Sequence, residues 1–336
     1  MNQAPVRIGI LGAARITPFA LISPARKLPE VRIVAVAARD GERAAAFARK
    51  HGIPTSYAGY EALLADPEVD AIYNPLPNSL HARWSIAALQ AGKHVLCEKP
   101  LTANADEAVT VAEAAERSGR VLMEAFHWRY HPMALRMIEI LQSGELGRLQ
   151  RVETFMCIPL PMPNDIRYQL ELAGGAGMDV GSYTVSMLRH LSGEEPEVVQ
   201  AQAWLKSPGV DRRIEAEVKM PSGATGHMTA SLWSRTLLRI EARLTCERGS
   251  LDAWNPVAPQ LLHRLTVSVD GKSRRESFPK TATYMHQLRA FAAAIREGTA
   301  IPTGARDAVA NMRVIDAMYR AAGLLPRGQT PNPQAG

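Results

Sequence analysis

Three groups of residues have the types and spacing to do chemistry. The first is Glu98-Lys99-Pro100, which follows the apolar run His94–Cys97. A lysine at the carboxyl end of a buried strand stands on the edge where open α/β sheets bind ligands. Pro100 restricts Lys99 to an extended backbone and admits a cis bond; without that restriction Lys99 reads as a surface residue. The second group is the glycine-rich stretch 174–183, which ends Met178-Asp179-Val180-Gly181-Ser182-Tyr183. A helix is expected over about 178–190, with Asp179 and Tyr183 four apart on one face. A carboxylate and a phenol so placed can bracket a substrate carbinol. By spacing alone, an acid capping a helix start with Tyr183 as packing is the plainer reading.

The third group is the turn Gly12-Ala13-Ala14-Arg15-Ile16-Thr17 after the run Val6–Leu11. The dinucleotide fingerprint G-x-G-x-x-G aligns on Gly12, Ala14 and Thr17, so only its first glycine is present. Its setting strengthens it: it follows the first strand, opens a helix and lies in a βαβ unit. Amides at that helix start would take a pyrophosphate. About 20 residues further, where an NAD site places an acid for the ribose hydroxyl, the chain reads Ala37-Ala38-Arg39-Asp40. Arg39 suits a 2′-phosphate. This favours NADP(H) and leaves NAD(H) open, since Arg39 also fits a loop start with Asp40 capping the next helix.

These residues need elements to position them. Near-continuous apolar runs at Val6–Leu11, Val31–Ala38, 69–73, His94–Cys97 and 120–124 alternate with helical patterns at 42–51, 79–91 and 106–118. That rhythm is a doubly wound parallel sheet covered on both faces, an α/β Rossmann domain over 1–124. From 125 to 325 the character changes. A helical pattern at 132–143 precedes alternating stretches at 149–158, 198–206, 212–220, 224–233, Arg239–Cys246 and 261–269. These predict a second α/β domain with a large, open, mostly antiparallel sheet, closed by helices at 284–297 and 305–322. The Pro- and Gly-rich tail 326–336 reads as disordered.

The composition is that of a globular protein: 46% hydrophobic and 21% charged over 336 residues. The net charge is +6, yet basic residues never exceed two in a row. A clustered stripe marks a nucleic-acid surface, so nucleic acid is not the expected partner; the scattered basic residues read as a solvated arginine-rich surface, which also suits an anionic cofactor. Three cysteines without metal spacing fit a reducing cytoplasm. No leader pattern and no run approaching a membrane span are present.

Taken in order, Gly9-Ile10-Leu11-Gly12-Ala13, the stretch 75–81 (PLPNSLH), Glu98-Lys99-Pro100, the stretch 124–132 (EAFHWRYHP) and 174–183 resemble the Gfo/Idh/MocA oxidoreductases over nearly the whole chain. The resemblance implies hydride transfer between a nicotinamide and a hydroxyl or carbonyl carbon of a sugar, cyclitol or related polyol, with Lys99 catalytic. Many members carry histidine where this chain has Tyr183. That difference points to the branch resembling glucose–fructose oxidoreductase, dimeric dihydrodiol dehydrogenase and the sugar 3-ketoreductases, in which tyrosine is the proton donor. An aromatic trans-dihydrodiol substrate and a non-catalytic NAD(P)-sensing regulator are the alternatives. By family position Arg15, Ile16, Leu76, Asn78, His81, Glu98, Trp128, Arg129 and Tyr284 join Gly12, Ala13, Ala14 and Arg39 at the cofactor. Arg167, Asp179 and Tyr183 face the substrate. No metal is implied, and His127 and His131 read as structural. The exposed face of the second sheet is implied as a homo-oligomer interface, dimer or tetramer. A lysine ammonium near Tyr183 would lower its phenol pKa, making it a usable acid–base.

Overall fold

A computed structural model describes residues 4–329. They fall into two compact units: residues up to 102 with 106–127 and 284–309, and residues 103–105 with 128–283 and those from 310 on. The closing segment 284–309, read from sequence with the second domain, therefore belongs with the first. Its contacts explain this. The Glu124 amide donates to the Thr303 carbonyl at 2.8 Å, Arg289 pairs with Glu30, and Ala308 lies in the first unit's core cluster.

The first unit contains β1 (Val6–Leu11), α1 (Ser23–Ala25), β2 (Val31–Ala38), α2 (Gly41–His51), β3 (Thr55–Ala58), α3 (Tyr60–Leu64), β4 (Ala71–Asn74), α4 (Asn78–Gln90), β5 (His94–Cys97), α5 (Ala105–Ser118) and β6 (Leu122–Glu124). The strands run parallel in the order β3-β2-β1-β4-β5-β6. This order reverses between β1 and β4, the crevice position of a dinucleotide fold. β4 and β5 are buried almost throughout, as strands covered on both faces must be. Sequence reading missed β3, a four-residue edge strand with exposed alternate positions and no apolar run. The regular helix expected after β1 is instead a π-helical turn, Pro18–Ile22, leading into the three residues of α1. Pro24 lacks the amide that an i−4 ladder requires, and the Ser23 amide bonds back to the Pro18 carbonyl.

The second unit contains α6 (Pro132–Gln142), β7 (Leu149–Cys157), α7 (Ala176–Asp179), α8 (Gly181–Ser192), β8 (Glu197–Ser207), β9 (Val210–Lys219), β10 (Thr225–Ser231), β11 (Arg239–Cys246), β12 (Gly249–Trp254), β13 (Arg264–Val269) and β14 (Lys272–Glu276). The sheet order is β14-β13-β12-β11-β7-β10-β9-β8, antiparallel at each pairing except β7 with β10. β12 and β14 were not legible: the first is short and interrupted by Asp252, the second is a polar edge strand, Lys-Ser-Arg-Arg-Glu. The long helices α9 (Thr283–Glu297) and α10 (Ala305–Ala321) complete the chain.

α8 packs on β7 and β10, and the Thr154 hydroxyl donates to the Thr184 carbonyl at 3.0 Å. Nearly every residue of α8 is buried, so the helix is central to the unit's core. Leu188, with no exposed surface, faces Gly226 of β10. Leu188→Ala is expected to lower unfolding free energy by about 2–5 kcal/mol, measured by urea titration.

Candidate functional site

In the first unit the sequence-selected residues gather on the carboxyl edge of the sheet. Gly12 directly follows β1 with φ +81°, a conformation L side chains rarely adopt, and a Cβ there would lie 2.9 Å from Leu76 Cδ2. The backbone thus forms an open cradle at the β1–β4 switch, closed on one side by Leu76. Ala13 and Ala14 are partly exposed, and Arg15 and Ile16 exposed. Asn78 opens α4, just after β4.

At the tip of β2, the Asp40 carboxylate accepts the Glu42 and Arg43 amides and caps α2. Arg39 and Arg43 are exposed beside it. Both act on the Tyr60 phenol, favouring its ionised form against the larger opposing effect of burial, and Arg43 donates to the Ala13 carbonyl at 3.1 Å. Sequence reading found Arg39 and missed Arg43. The signal was the capped helix start itself, since a first-turn residue of α2 faces the same edge. A cradle without a Cβ and paired guanidinium groups at β2 fit an NADP phosphate set; an acid free for a ribose hydroxyl is not present at β2.

Lys99 follows β5, and the Lys99–Pro100 bond is cis. Its neighbourhood is defined by three groups. Behind it, the buried Tyr73 hydroxyl donates to Glu98 Oε1 at 2.7 Å. His81, buried at 1% exposure, sets one ring nitrogen 2.8 Å from the Pro100 carbonyl and the other 2.6 Å from the Leu76 carbonyl. The ring therefore lies between the Lys99 turn and the Leu76 turn, and in its neutral form it donates to one of the two carbonyls. Burial lowers its pKa to about 4, the two carbonyls oppose this, and Lys99 adds to it. His127 stacks on Tyr284, ring centroids 4.0 Å apart, and Phe19 meets the same tyrosine edge-on at 5.3 Å. Tyr284 thus has its place among the first unit's aromatic rings, and burial, then Glu98, raises its pKa.

In the second unit Asp179 and Arg167 meet, Arg167 Nε lying 2.9 Å from Asp179 Oδ2, and Arg167 also holds Asp165 at 3.0 Å. Asp179 ends α7 and Tyr183 lies in α8, with Val180 between the two helices. The single helix expected over 178–190 is therefore interrupted at Val180, whose backbone stays in the right-handed helical region. Tyr183 is 5% exposed. Trp128 has no exposed surface and packs edge-on to His190. Arg129 is nearly buried and, after burial itself, lowers the His190 pKa. His131 caps α6 through the Met133 amide and contacts the Pro279 carbonyl, a structural task. The expected disordered tail divides in two: 330–336 lie outside the described residues, whereas 326–329 are described and Arg327 is only 2% exposed.

Among the described residues no cluster of His, Cys, Asp or Glu could hold a metal ion, and no helix is long and apolar enough to cross a membrane. The three cysteines are buried free thiols.

Residues 6–126 match the family model described as oxidoreductase family, NAD-binding Rossmann fold, and residues 134–252 match the GFO/IDH/MocA C-terminal domain. The D-xylose 1-dehydrogenase (NADP(+)) 2 of Haloferax volcanii is 42% identical over 94% of this chain and 96% of its own. The chain belongs to the GFO/IDH/MocA oxidoreductase family. It is an NAD(P)-dependent oxidoreductase. Among solved structures, a 3-ketoreductase from Actinomadura kijaniata in complex with NADP and TDP-benzene superposes with a TM-score of 0.87 at 28% identity, covering 94% of this chain and 98% of that one. The aldose–aldose oxidoreductase of Caulobacter crescentus, complexed with glycerol, gives 0.86 at 26% identity over 95% and 98%.

One consequence of this geometry is a pH dependence of stability. Burial first, and Lys99 second, lower the His127 pKa to about 3, whereas an unfolded imidazole titrates near 6.5. The folded value is the lower one. The stabilisation is therefore complete above pH 6.5 and drains away as pH falls toward 3. His127→Phe keeps a ring against Tyr284 but removes the titration. Between pH 7 and pH 5 it is expected to lose about 2 kcal/mol less unfolding free energy than the unmodified protein, read from urea titrations at both pH values.

Proposed function

We propose that the protein is an NADP(H)-dependent oxidoreductase acting on a CH–OH or carbonyl carbon of a sugar, cyclitol or related polyol. When bound, the cofactor supplies or accepts the hydride. Gly12 to Ile16, Leu76, Asn78 and His81 would line its phosphates and nicotinamide arm, Arg39 and Arg43 its 2′-phosphate. Tyr183 gives or takes the hydroxyl proton. The Lys99 ammonium stabilises the phenolate and brings a phenol of ordinary pKa near 10 into working range. Glu98, held by Tyr73, and His81 fix the turn that carries Lys99.

The observation that carries the substrate class is the Asp179–Arg167 ion pair just before Tyr183. A carboxylate and a guanidinium offer acceptors and donors to several hydroxyls, which suits a polyol better than an aromatic ring. Relatives named as an NADP xylose dehydrogenase and as dTDP-sugar 3-reductases support the same class. The trans-1,2-dihydrobenzene-1,2-diol dehydrogenase of Xenopus tropicalis, 31% identical over 83% of both chains, keeps an aromatic diol as the second reading. A non-catalytic sensor has no use for Lys99, Asp179 and Tyr183 together. The open face of the eight-stranded sheet is the proposed homo-oligomer interface.

Four measurements test this. In an NADP+ turnover screen across pyranoses, inositols, nucleotide-sugars and dihydrodiols, activity is expected on a pyranose or cyclitol; turnover confined to dihydrodiols would overturn the substrate reading. Tyr183→Phe is expected to reduce kcat by about 10²–10⁴-fold, and Lys99→Met to move the acid limb of the kcat profile upward by roughly one to three pH units. Arg39→Ala combined with Arg43→Ala is expected to weaken NADP+ binding about 10- to 100-fold while leaving NAD+ binding within twofold, read by fluorescence titration.

A further inference from the structure

The stretch 174–177 rests on a buried charge cluster that draws its cation from the far end of the described chain. Asp211 has no exposed surface. Its Oδ1 accepts from Arg327 Nη2 at 2.5 Å and from the Tyr319 hydroxyl at 3.0 Å, while its Oδ2 accepts from the Gly177 amide at 2.7 Å. Arg327 Nε donates to the Gly174 carbonyl at 2.6 Å, and its guanidinium lies 4.0 Å over the Tyr319 ring. Asn104 in turn donates to the Arg327 carbonyl at 2.8 Å. One ion pair thus grips both ends of the glycine turn.

The fit leaves no room for adjustment. Gly175 has φ +129°, and a Cβ there would lie 2.1 Å from Asp211 Oδ1 and 2.6 Å from Arg327 Nη2. On its other side the turn is tied to the segment bearing Arg167, since the Gly175 amide donates to the Arg167 carbonyl at 2.8 Å. Asp179 follows two residues after Gly177, pairs with Arg167, and leads into Tyr183.

We propose that Arg327 and Asp211 are positioning residues that set the Asp179–Arg167 pair and the start of α8 through the glycine turn. The catalytic half of this inference rests on the function proposed above; the positioning half does not. Neither residue needs to touch substrate, because a displacement of about 1 Å at a reacting group can cost about a hundredfold in rate.

The test uses the full chain carrying Arg327→Ala, Asp211→Asn or Gly175→Ala; the last forces the turn and the ion pair apart without removing either charged side chain, and Asp211→Asn keeps the buried shape without the charge. Hydrogen–deuterium exchange of peptides spanning 174–183 is expected to accelerate at least tenfold, with the six-stranded sheet within twofold of the unmodified protein. With D-xylose and NADP+ as the probe, kcat is expected to fall about a hundredfold while the NADP+ Kd stays within twofold. Unchanged exchange over 174–183 in Asp211→Asn and Gly175→Ala overturns the proposal, as does acceleration spread evenly over both sheets. If Tyr183→Phe keeps full turnover, the function reading fails while the exchange result still decides the positioning role.

Discussion

The first unit depends on one constraint: all six strands of its sheet point the same way. In a parallel sheet every strand ends on the same edge, however far apart the strands lie in sequence. Gly12, Arg39, Leu76 and Lys99 come from four different strand ends and share that edge because β1, β2, β4 and β5 are parallel neighbours. Side-chain ties then fix the edge more finely. His81 spans the turns after β4 and β5, and Tyr73, from within β4, reaches Glu98. The chemistry is thus assembled by topology first and by buried hydrogen bonds second.

The second unit solves a different problem. Its sheet is mostly antiparallel and does not align strand ends, so its polar residues are placed by a turn and by one buried helix. α8 is covered nearly all round, which fixes Tyr183 in a rigid element. The turn before it contains no side chain that could hold it, and charge burial does that work instead. Asp211 loses water completely. Burial pushes its carboxyl pKa up, and Arg327, the Gly177 amide and Tyr319 pull it back. A carboxylate so deep requires a hydrogen-bonded partner, and Arg327 meets the requirement.

The fold was legible where the signal was local. The apolar runs of β1, β2 and β5 and the alternation of β11 read directly from sequence, since both faces or one face of a covered strand must be apolar. β3 and β14 were not legible, because short polar edge strands owe their existence to a neighbour's free edge. The same division runs through the site. Lys99 and Arg39 stand at strand tips and could be found by counting. Arg43 acquires its meaning only when Asp40 caps α2 and turns it toward Ala13. Arg327 sits in a Pro- and Gly-rich stretch whose composition signals disorder, and only a carboxylate distant in sequence gives it a fixed place. The break at Val180 adjoins Gly181, among the weakest helix formers, a local signal that the four-residue spacing of Asp179 and Tyr183 overrode.

The separation of Asp211 from Arg327 also has a meaning in time. The two lie 116 residues apart, and ribosomes add about 5–20 residues per second. Asp211 is therefore added to the chain roughly 6–23 s before its counter-ion. Throughout that interval the carboxylate lacks its counter-ion, and the Gly174 carbonyl lacks the donor it has in the folded protein. A nascent chain stalled before residue 327 has Asp211 without the arginine that pairs with it, both side chains buried, in the folded second unit.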